Sequence, residues 1–334
     1  MRILVTGGAG FIGSCFVRMA LRGKLPGLHD VRLTVLDALT YSGNRANLSP
    51  VADDPRLAFV HGDICDADLV DALLPGHDAV VHFAAETHVD RSIDGGAAFV
   101  RTNVLGSTVL LEAATRHGLR RFLHVSTDEV YGSIDVGSWK EHFPASPNSP
   151  YSASKAGSDL LALAYHRTHE LPVVVTRCSN NYGPYQFPEK IIPLFVTNLL
   201  EGRTVPLYGD GGNVRDWLHV HDHCRGLALV LAGGRPGQIY HIGGGVETTN
   251  NQLADMLLEA CGAGRDRLRY VPDRKGHDRR YSLDITKIST ELGYRPLVPF
   301  RAGILATVEW YRANRPWWEP LRRRMEQEMT LTAH

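Results

Sequence analysis

Two acidic side chains stand side by side at Asp128 and Glu129, within Ser126-Thr-Asp-Glu-Val-Tyr-Gly132. The residues before them, Arg121–Val125, read as a short apolar strand, so the pair falls where that strand ends. Two carboxylates in one partly dry site split into an acid and a base, because close like charges raise one pKa. Successive strand residues face opposite ways, so both can reach one substrate only if the strand stops there. A solvated surface pair is the plain alternative, and the rest of the chain has to decide between them. Tyr151 and Lys155, in Ser149-Pro-Tyr-Ser-Ala-Ser-Lys155, are the second constellation. Ser149 can cap a helix and Pro150 suits its first turn. Tyr151 and Lys155 are then one helical turn apart on a shared face. A nearby ammonium lowers the pKa of a phenol, which makes Tyr151 a candidate base for a hydroxyl proton.

A glycine cluster supplies the third. The first apolar run leads straight into Gly7-Gly-Ala-Gly-Phe-Ile-Gly13 and then a helical pattern. Gly8, Gly10 and Gly13 fit GxGxxG, and Gly7, Gly10 and Gly13 fit GxxGxxG. Such a turn lets the backbone approach a pyrophosphate, whose charge rests on the helix N-terminus. The next strand ends at Asp37, about two dozen residues past Gly13 and near the roughly 20 expected for a carboxylate on a ribose diol. An acid there repels a 2′-phosphate, so the reading is NAD in preference to NADP.

The elements that must position these groups alternate in type. Strands are expected at Arg2–Thr6, Arg32–Asp37, Leu57–His61, Ala79–Phe83, Arg121–Ser126 and Val173–Arg177. Helices are expected at Phe11–Leu21, Asp66–Leu74, Thr102–His117 and Ser152–His169. The fold class is therefore α/β, a Rossmann-type doubly wound parallel sheet with a smaller α+β substrate-binding domain. Residues 1–178 form the dinucleotide-binding domain and 179–334 mainly the second. Segment 217–243 reads as strand, helix, strand and suggests a return to the first domain.

Composition excludes several classes. Lys+Arg and Asp+Glu both number 36, so no net charge favours nucleic acid or an anionic membrane. Five scattered cysteines without CxxC spacing fit reduced thiols in the cytosol. No apolar run approaches the roughly 18 residues of a membrane span, and the N-terminus is not a signal peptide. His219, His221 and His223 alternate as in a strand, but no metal is expected. The basic stretch 265–280 has mixed signs, and the aromatic run 310–321 reads as packing.

With the glycine loop, Asp37, STDEVYG and YSASK together, the chain resembles the extended short-chain dehydrogenases/reductases that act on sugar nucleotides. Within them it is similar to the dTDP-glucose 4,6-dehydratases over about residues 1–320. The narrowing motifs are Thr127-Asp128-Glu129, HFAAETHVDRSI (82–93), NNYGPYQFPEKIIPLF (180–195) and DRKGHDRRYSLD (273–284). Related epimerases usually have small or hydroxyl residues in place of the acids, and decarboxylases typically Thr-Ser-Glu. An epimerase or decarboxylase is thus the alternative reading, and a non-catalytic NAD sensor a more remote one.

The resemblance implies that Tyr151 takes the glucose 4-hydroxyl proton during C4 oxidation. Glu129 then removes the C5 proton while protonated Asp128 protonates the departing 6-hydroxyl, and Thr127 positions the 4-hydroxyl. It places Phe11, Ile12, Asp63, Ile64, Ala84, Ala85, Thr102 and Asn181 around NAD, with Tyr151 and Lys155. It places Thr87, Asn180, Lys190, Ile191, Pro206, Tyr208, Arg215, Asn250, Arg274 and His277 around the sugar nucleotide. Thr87 stands where the family usually has Ser, and Lys275 where Pro is frequent. The resemblance also implies a homodimer through the helix at 102–117 and the one beginning at Ser152.

Overall fold

Seven parallel strands form the main sheet of the computed structural model, which describes residues 1–332. They are β1 (Arg2–Thr6), β2 (Arg32–Asp37), β3 (Leu57–His61), β4 (Ala79–His82), β5 (Arg121–Thr127), β6 (Val173–Cys178) and β10 (Ile239–Ile242). Their order is β10-β6-β5-β4-β1-β2-β3, with the reversal of winding between β1 and β4. This is the Rossmann-type α/β sheet expected from the alternation of apolar runs and helices.

Apart from the partly exposed edge strand β3, the strands are apolar because both faces are covered. Ile3, Leu4 and Val5 of β1 are each 0% exposed. Helices α1 (Phe11–Leu21), α8 (Val220–Gly233) and α10 (Thr286–Leu292) pack on one face. Helices α2 (Ala67–Leu73), α5 (Ser107–Arg116) and α6 (Pro150–His169) pack on the other. Each fully buried Val, Leu or Ile side chain stabilises the layer by about 1.5–3 kcal/mol.

The remaining elements build a smaller α+β body. Strands β7 (Asn180–Tyr182), β9 (Val214–His219) and β11 (Glu247–Thr249) form one small sheet. Strands β8 (Val205–Tyr208) and β12 (Leu268–Val271) form another. Helices α7 (Ile191–Leu200), α9 (Asn250–Cys261), α11 (Phe300–Ala313) and α12 (Arg315–Thr332) cover them around a core that includes Phe195, Trp217, Leu257, Tyr311 and Trp318. Short helices α3 (Val89–Asp94) and α4 (Ala97–Phe99) follow β4 and pack against α6.

Three local readings differ from the sequence expectation. The strand–helix–strand of 217–243 is split between sheets: β10 joins the main sheet, whereas β9 pairs with β7 and β11. The helix expected from Thr102 begins as a π-helical stretch, Val100–Gly106, before α5. Within it Asn103 turns inward and bonds Glu86 and Ser154. Of the alternating histidines only His219 lies in a strand, at the end of β9 where it caps α8, whereas His221 and His223 are already in that helix.

Candidate active site

Strand β5 ends at Thr127, and a single 3₁₀ turn, Asp128–Tyr131, follows at once. Thr127 caps that turn by accepting from the Glu129 amide at 3.3 Å, and its hydroxyl donates to Asp128 Oδ1 at 3.3 Å. The change from strand to turn is what brings both adjacent acids to one cleft. Gly132 closes the turn at φ +74°, where a Cβ would lie 2.5 Å from the Ser146 carbonyl oxygen.

Helix α6 presents the second pair. Ser149 accepts from the Ser152 amide at 3.1 Å and Pro150 occupies the first turn, the cap read from the sequence. The Ser152 hydroxyl donates to Glu129 Oε2 at 3.3 Å, so the helix start also orients the second acid. Lys155 is 4% exposed, and its ammonium donates to the Val125 carbonyl oxygen at 2.8 Å. One turn further on, Asp159 holds Arg177 Nε at 2.9 Å and His124 Nε2 at 3.2 Å. Burial raises the Asp159 pKa, but His124 and Arg177 outweigh it and bring it to about 2. The resulting fixed negative charge offsets the cost of burying the Lys155 ammonium, whose pKa burial lowers.

The electrostatics separate the two acids. Burial, then Glu129 and Asp216, push the Asp128 pKa well above the carboxylate range. Its Oδ2 is buried with no hydrogen-bond partner among the described residues, a position suited to a proton-bearing carboxyl. Burial also raises Glu129, but Lys190 and Arg215 pull it back toward ionisation. Asp128 therefore holds its proton more tightly than Glu129. Tyr151 departs from the expectation that Lys155 lowers its phenol. Burial, then Glu129, raise it well above the ordinary tyrosine value, while the Lys155 ammonium donates to the Val125 carbonyl.

Two cavities meet at these groups. One, of about 320 Å³, is lined by Gly7, Gly10, Phe11, Ile12, Gly13, Asp37, Asp63, Ile64, Ala84, Ala85, Thr102, Tyr151, Lys155 and Asn181, all the expected cofactor residues. The other, of about 1310 Å³, is lined by Asn180, Lys190, Ile191, Pro206, Tyr208, Arg215, Asn250, Arg274 and His277. Glu129, Asn180, Asn181 and Lys190 border both, whereas Asp128 borders only the first. Thr87 and Thr127, expected beside the sugar nucleotide, also border only the first.

The family model described as GDP-mannose 4,6 dehydratase matches residues 4–307. The chain belongs to this dehydratase family. A dTDP-glucose 4,6-dehydratase of Streptomyces niveus is 67% identical over 96% of this chain and 96% of its own. Another, from Actinoplanes sp. (strain SE50/110), is 65% identical over 95% of this chain and 100% of its own. The crystal structure of the dTDP-glucose 4,6-dehydratase DesIV from Streptomyces venezuelae, with NAD and TYD bound, superposes with a TM-score of 0.95. It is 66% identical and covers 96% of this chain and 100% of that one.

The glycine loop of this family member fits a dinucleotide. Gly7 has φ +68°, and a Cβ there would lie 2.6 Å from the Ala84 amide nitrogen. A Cβ on Gly13 would overlap the Gly7 carbonyl oxygen, so α1 can start this close to the loop only with glycine. Asp37 is buried at the cavity rim and accepts from the Ala9 and Leu39 amides, each at 2.8 Å. Its carboxylate thus ties the loop to β2 and still faces the cavity.

Cations of the dehydratase line the larger cavity. Arg274 Nη2 donates to Asp90 at 2.9 Å, and its guanidinium lies 5.2 Å from the Tyr208 ring. Arg215 donates to the Asp278 carbonyl oxygen at 2.9 Å and covers the Tyr281 ring at 4.3 Å. His277 bonds Asp273 at 2.6 Å. Lys190 Nζ donates to the Thr87 carbonyl oxygen at 3.1 Å. Such donors suit a diphosphate.

Sequence reading missed several neighbours. Glu189 is buried between the cavities, accepts from the Tyr41 hydroxyl at 3.1 Å and lies 3.6 Å from His88 Nε2. Its adjacency to Lys190 was the available signal. Asp159 was also within reach, as the next residue along the Tyr151–Lys155 face. The Asp90–Arg274 pair joins distant segments and left no local trace.

Proposed function

We propose that this protein converts dTDP-glucose to dTDP-4-keto-6-deoxyglucose in deoxysugar biosynthesis. It is an NAD-dependent hydro-lyase, a dTDP-glucose 4,6-dehydratase. One observation carries the reading: a buried Asp128 on the dinucleotide cavity stands next to Glu129, which borders both that cavity and the cation-lined one. An epimerase needs no such pair, because it eliminates nothing.

NAD, when bound, supplies the acceptor and later the donor of one hydride, together with a positive charge near the phenol. Tyr151 takes the proton of the 4-hydroxyl, and Lys155 holds its positive charge at the base of the same helical face. The C4 ketone acidifies the C5 proton, and Glu129 removes it. Asp128 gives its proton to the 6-hydroxyl, which leaves as water while the C5–C6 double bond forms. Glu129 returns its proton to C5 and the proton taken by Tyr151 restores Asp128, so that, with the hydride bound NAD would give back, the conversion is redox-neutral. Thr127 positions the 4-hydroxyl, and Lys190, Arg215 and Arg274 bind the diphosphate with Tyr208 against the base.

Residues 1–178, completed by β10, act as the NAD-binding unit, and most of 179–334 binds the sugar nucleotide. The protein works as a homodimer in the cytoplasm. The exposed apolar side chains of Val100, Leu105 and Leu160, at 54%, 48% and 61%, support a partner packed on the π-helical stretch and α6. No helix among the described residues is long and apolar enough to cross a membrane.

The test is to incubate purified protein with dTDP-glucose, without added NAD, and weigh the product. Loss of one water is expected. An unchanged mass from protein that carries NAD refutes the function.

A further inference from the structure

Asn47 makes contacts that the reaction does not use. It is 2% exposed, in the 3₁₀ turn Arg45–Val51 that follows the β2 loop. Its Nδ2 donates at 2.8 Å to the carbonyl oxygen of Ala9, in the middle of the glycine loop. Its Oδ1 accepts at 2.9 Å from the indole Nε1 of Trp317, in the C-terminal helix α12. The node is reinforced on both sides. The Ala9 carbonyl also accepts from the Asn44 amide at 3.1 Å, and the Asn47 carbonyl accepts from Arg18 Nη1 at 2.6 Å. Arg18 in turn lies 4.1 Å from the centre of the Tyr185 ring, which packs against Trp317 at 5.5 Å.

The segment between Asp37 and this node is one wall of the cofactor cavity, lined by Ala38, Thr40, Ser42 and Gly43. It is wound tightly. Leu39 adopts φ +50°, and a Cβ on Gly43 would lie 2.9 Å from Asp37 Oδ1. Backbone held in that region persists only where its surroundings over-determine it. Here the far anchor is a side chain whose second bond comes from the other body of the molecule.

We propose that the Trp317–Asn47 hydrogen bond is a latch on this wall, so that NAD leaves only after α12 releases Asn47. Asn47 and Trp317 are thus positioning residues for cofactor retention, and the inference rests on NAD occupying that cavity. The chemistry gives the latch a purpose. A redox-neutral cycle returns its cofactor unchanged, so exchange with solvent brings nothing, and loss of reduced cofactor in mid-cycle would strand the ketone. The aromatic C-terminal run, which the sequence presents only as packing, then acts on the opposite end of the chain.

Trp317→Phe keeps a ring in the aromatic cluster and removes the donor. The enzyme is loaded with radiolabelled NAD, chased with excess unlabelled NAD, and the retained label is followed by filtration. Release should be roughly 2- to 10-fold faster, the range spanned by one neutral hydrogen bond. Turnover at saturating NAD should be unchanged. Asn47→Ala, which cuts both bonds, should release label faster still. Hydrogen exchange in Trp317→Phe should accelerate in peptides from residues 38–51 and stay unchanged in β5 and β6. Label released at the wild-type rate in both variants overturns the latch, as does exchange that accelerates equally throughout the sheet. Wild-type protein that retains no label overturns the cofactor reading and the latch with it.

Discussion

Replacing Asp128 with Asn tests the general acid by chemistry and by stability together. The amide keeps the shape and donor capacity of a protonated carboxyl but has no proton to hand over. Transfer by a positioned side chain contributes roughly 10²–10⁴-fold. That corresponds to about 3–5 kcal/mol at about 1.4 kcal/mol per tenfold. Oxidation at C4 depends on Tyr151 and Lys155 in α6, so it should survive. Mixed with dTDP-glucose, the variant should accumulate the near-ultraviolet absorbance of reduced cofactor while water loss, read by mass, falls by the stated factor.

The stability arm follows from the proton that Asp128 holds. Its folded pKa is raised by burial beside Glu129 and Asp216, so above about pH 4 the native state binds a proton that the unfolded state has lost. The native state binding more protons means that stability falls with rising pH, until the folded pKa is reached. Asparagine does not titrate. The variant should therefore gain on the wild type between about pH 5 and about pH 7, with a slope of no more than about 1.4 kcal/mol per pH unit. Denaturant midpoints at the two pH values measure it. Water loss at the wild-type rate, or a stability difference flat across that interval, refutes the assignment.

Lys155→Met removes a buried ammonium and its bond to Val125. It should slow C4 oxidation by roughly 100-fold or more, read as the rate of cofactor reduction in a single turnover. Arg274→Ala should raise KM for dTDP-glucose roughly 10- to 100-fold with kcat nearly unchanged, the signature of lost uniform binding. Leu160→Asp should convert a dimer to monomers in sedimentation, since the charge would be placed on an exposed apolar face. A Leu160→Asp protein that still sediments as a dimer removes α6 from the interface.

Much of the main sheet was legible because most of its strands are buried on both faces and read as apolar runs. β1, β2 and β3 fall on the expected residues, and β5 overshoots only by Thr127, the residue that makes the turn. The small sheet was not legible. β7 is Asn-Asn-Tyr, whose polar residues line cavities and carry no alternation. The π-helical stretch was hidden because its sequence, Val100–Gly106, has ordinary helical periodicity, and only the inward bonds of Asn103 distinguish it. The glycine loop, the acid pair and the Tyr151–Lys155 pair were readable as candidates because each lies in a short motif, whereas Asp63, Thr102 and Asn181 came only from the resemblance. The charge that accompanies Lys155 comes from Asp159, Arg177 and His124, which three different elements bring together. The Tyr151 phenol was misjudged because spacing places Lys155 nearby without saying how deeply the phenol is buried.

The placement of β10 has a consequence for how the chain is made. On the ribosome, β6 emerges as the outermost strand of a nearly finished sheet, with Val173, Val174 and Val175 along an open edge. Its parallel partner at Ile239–Ile242 is synthesised only after β7, α7, β8, β9 and α8. Throughout that interval the nascent protein carries an apolar strand edge able to pair with another copy. Expression of residues 1–178 alone would make that interval permanent and yield aggregate in place of a dinucleotide-binding domain. The small body is therefore a stage in sealing the large one, and its synthesis rate sets how long a newborn chain needs protection.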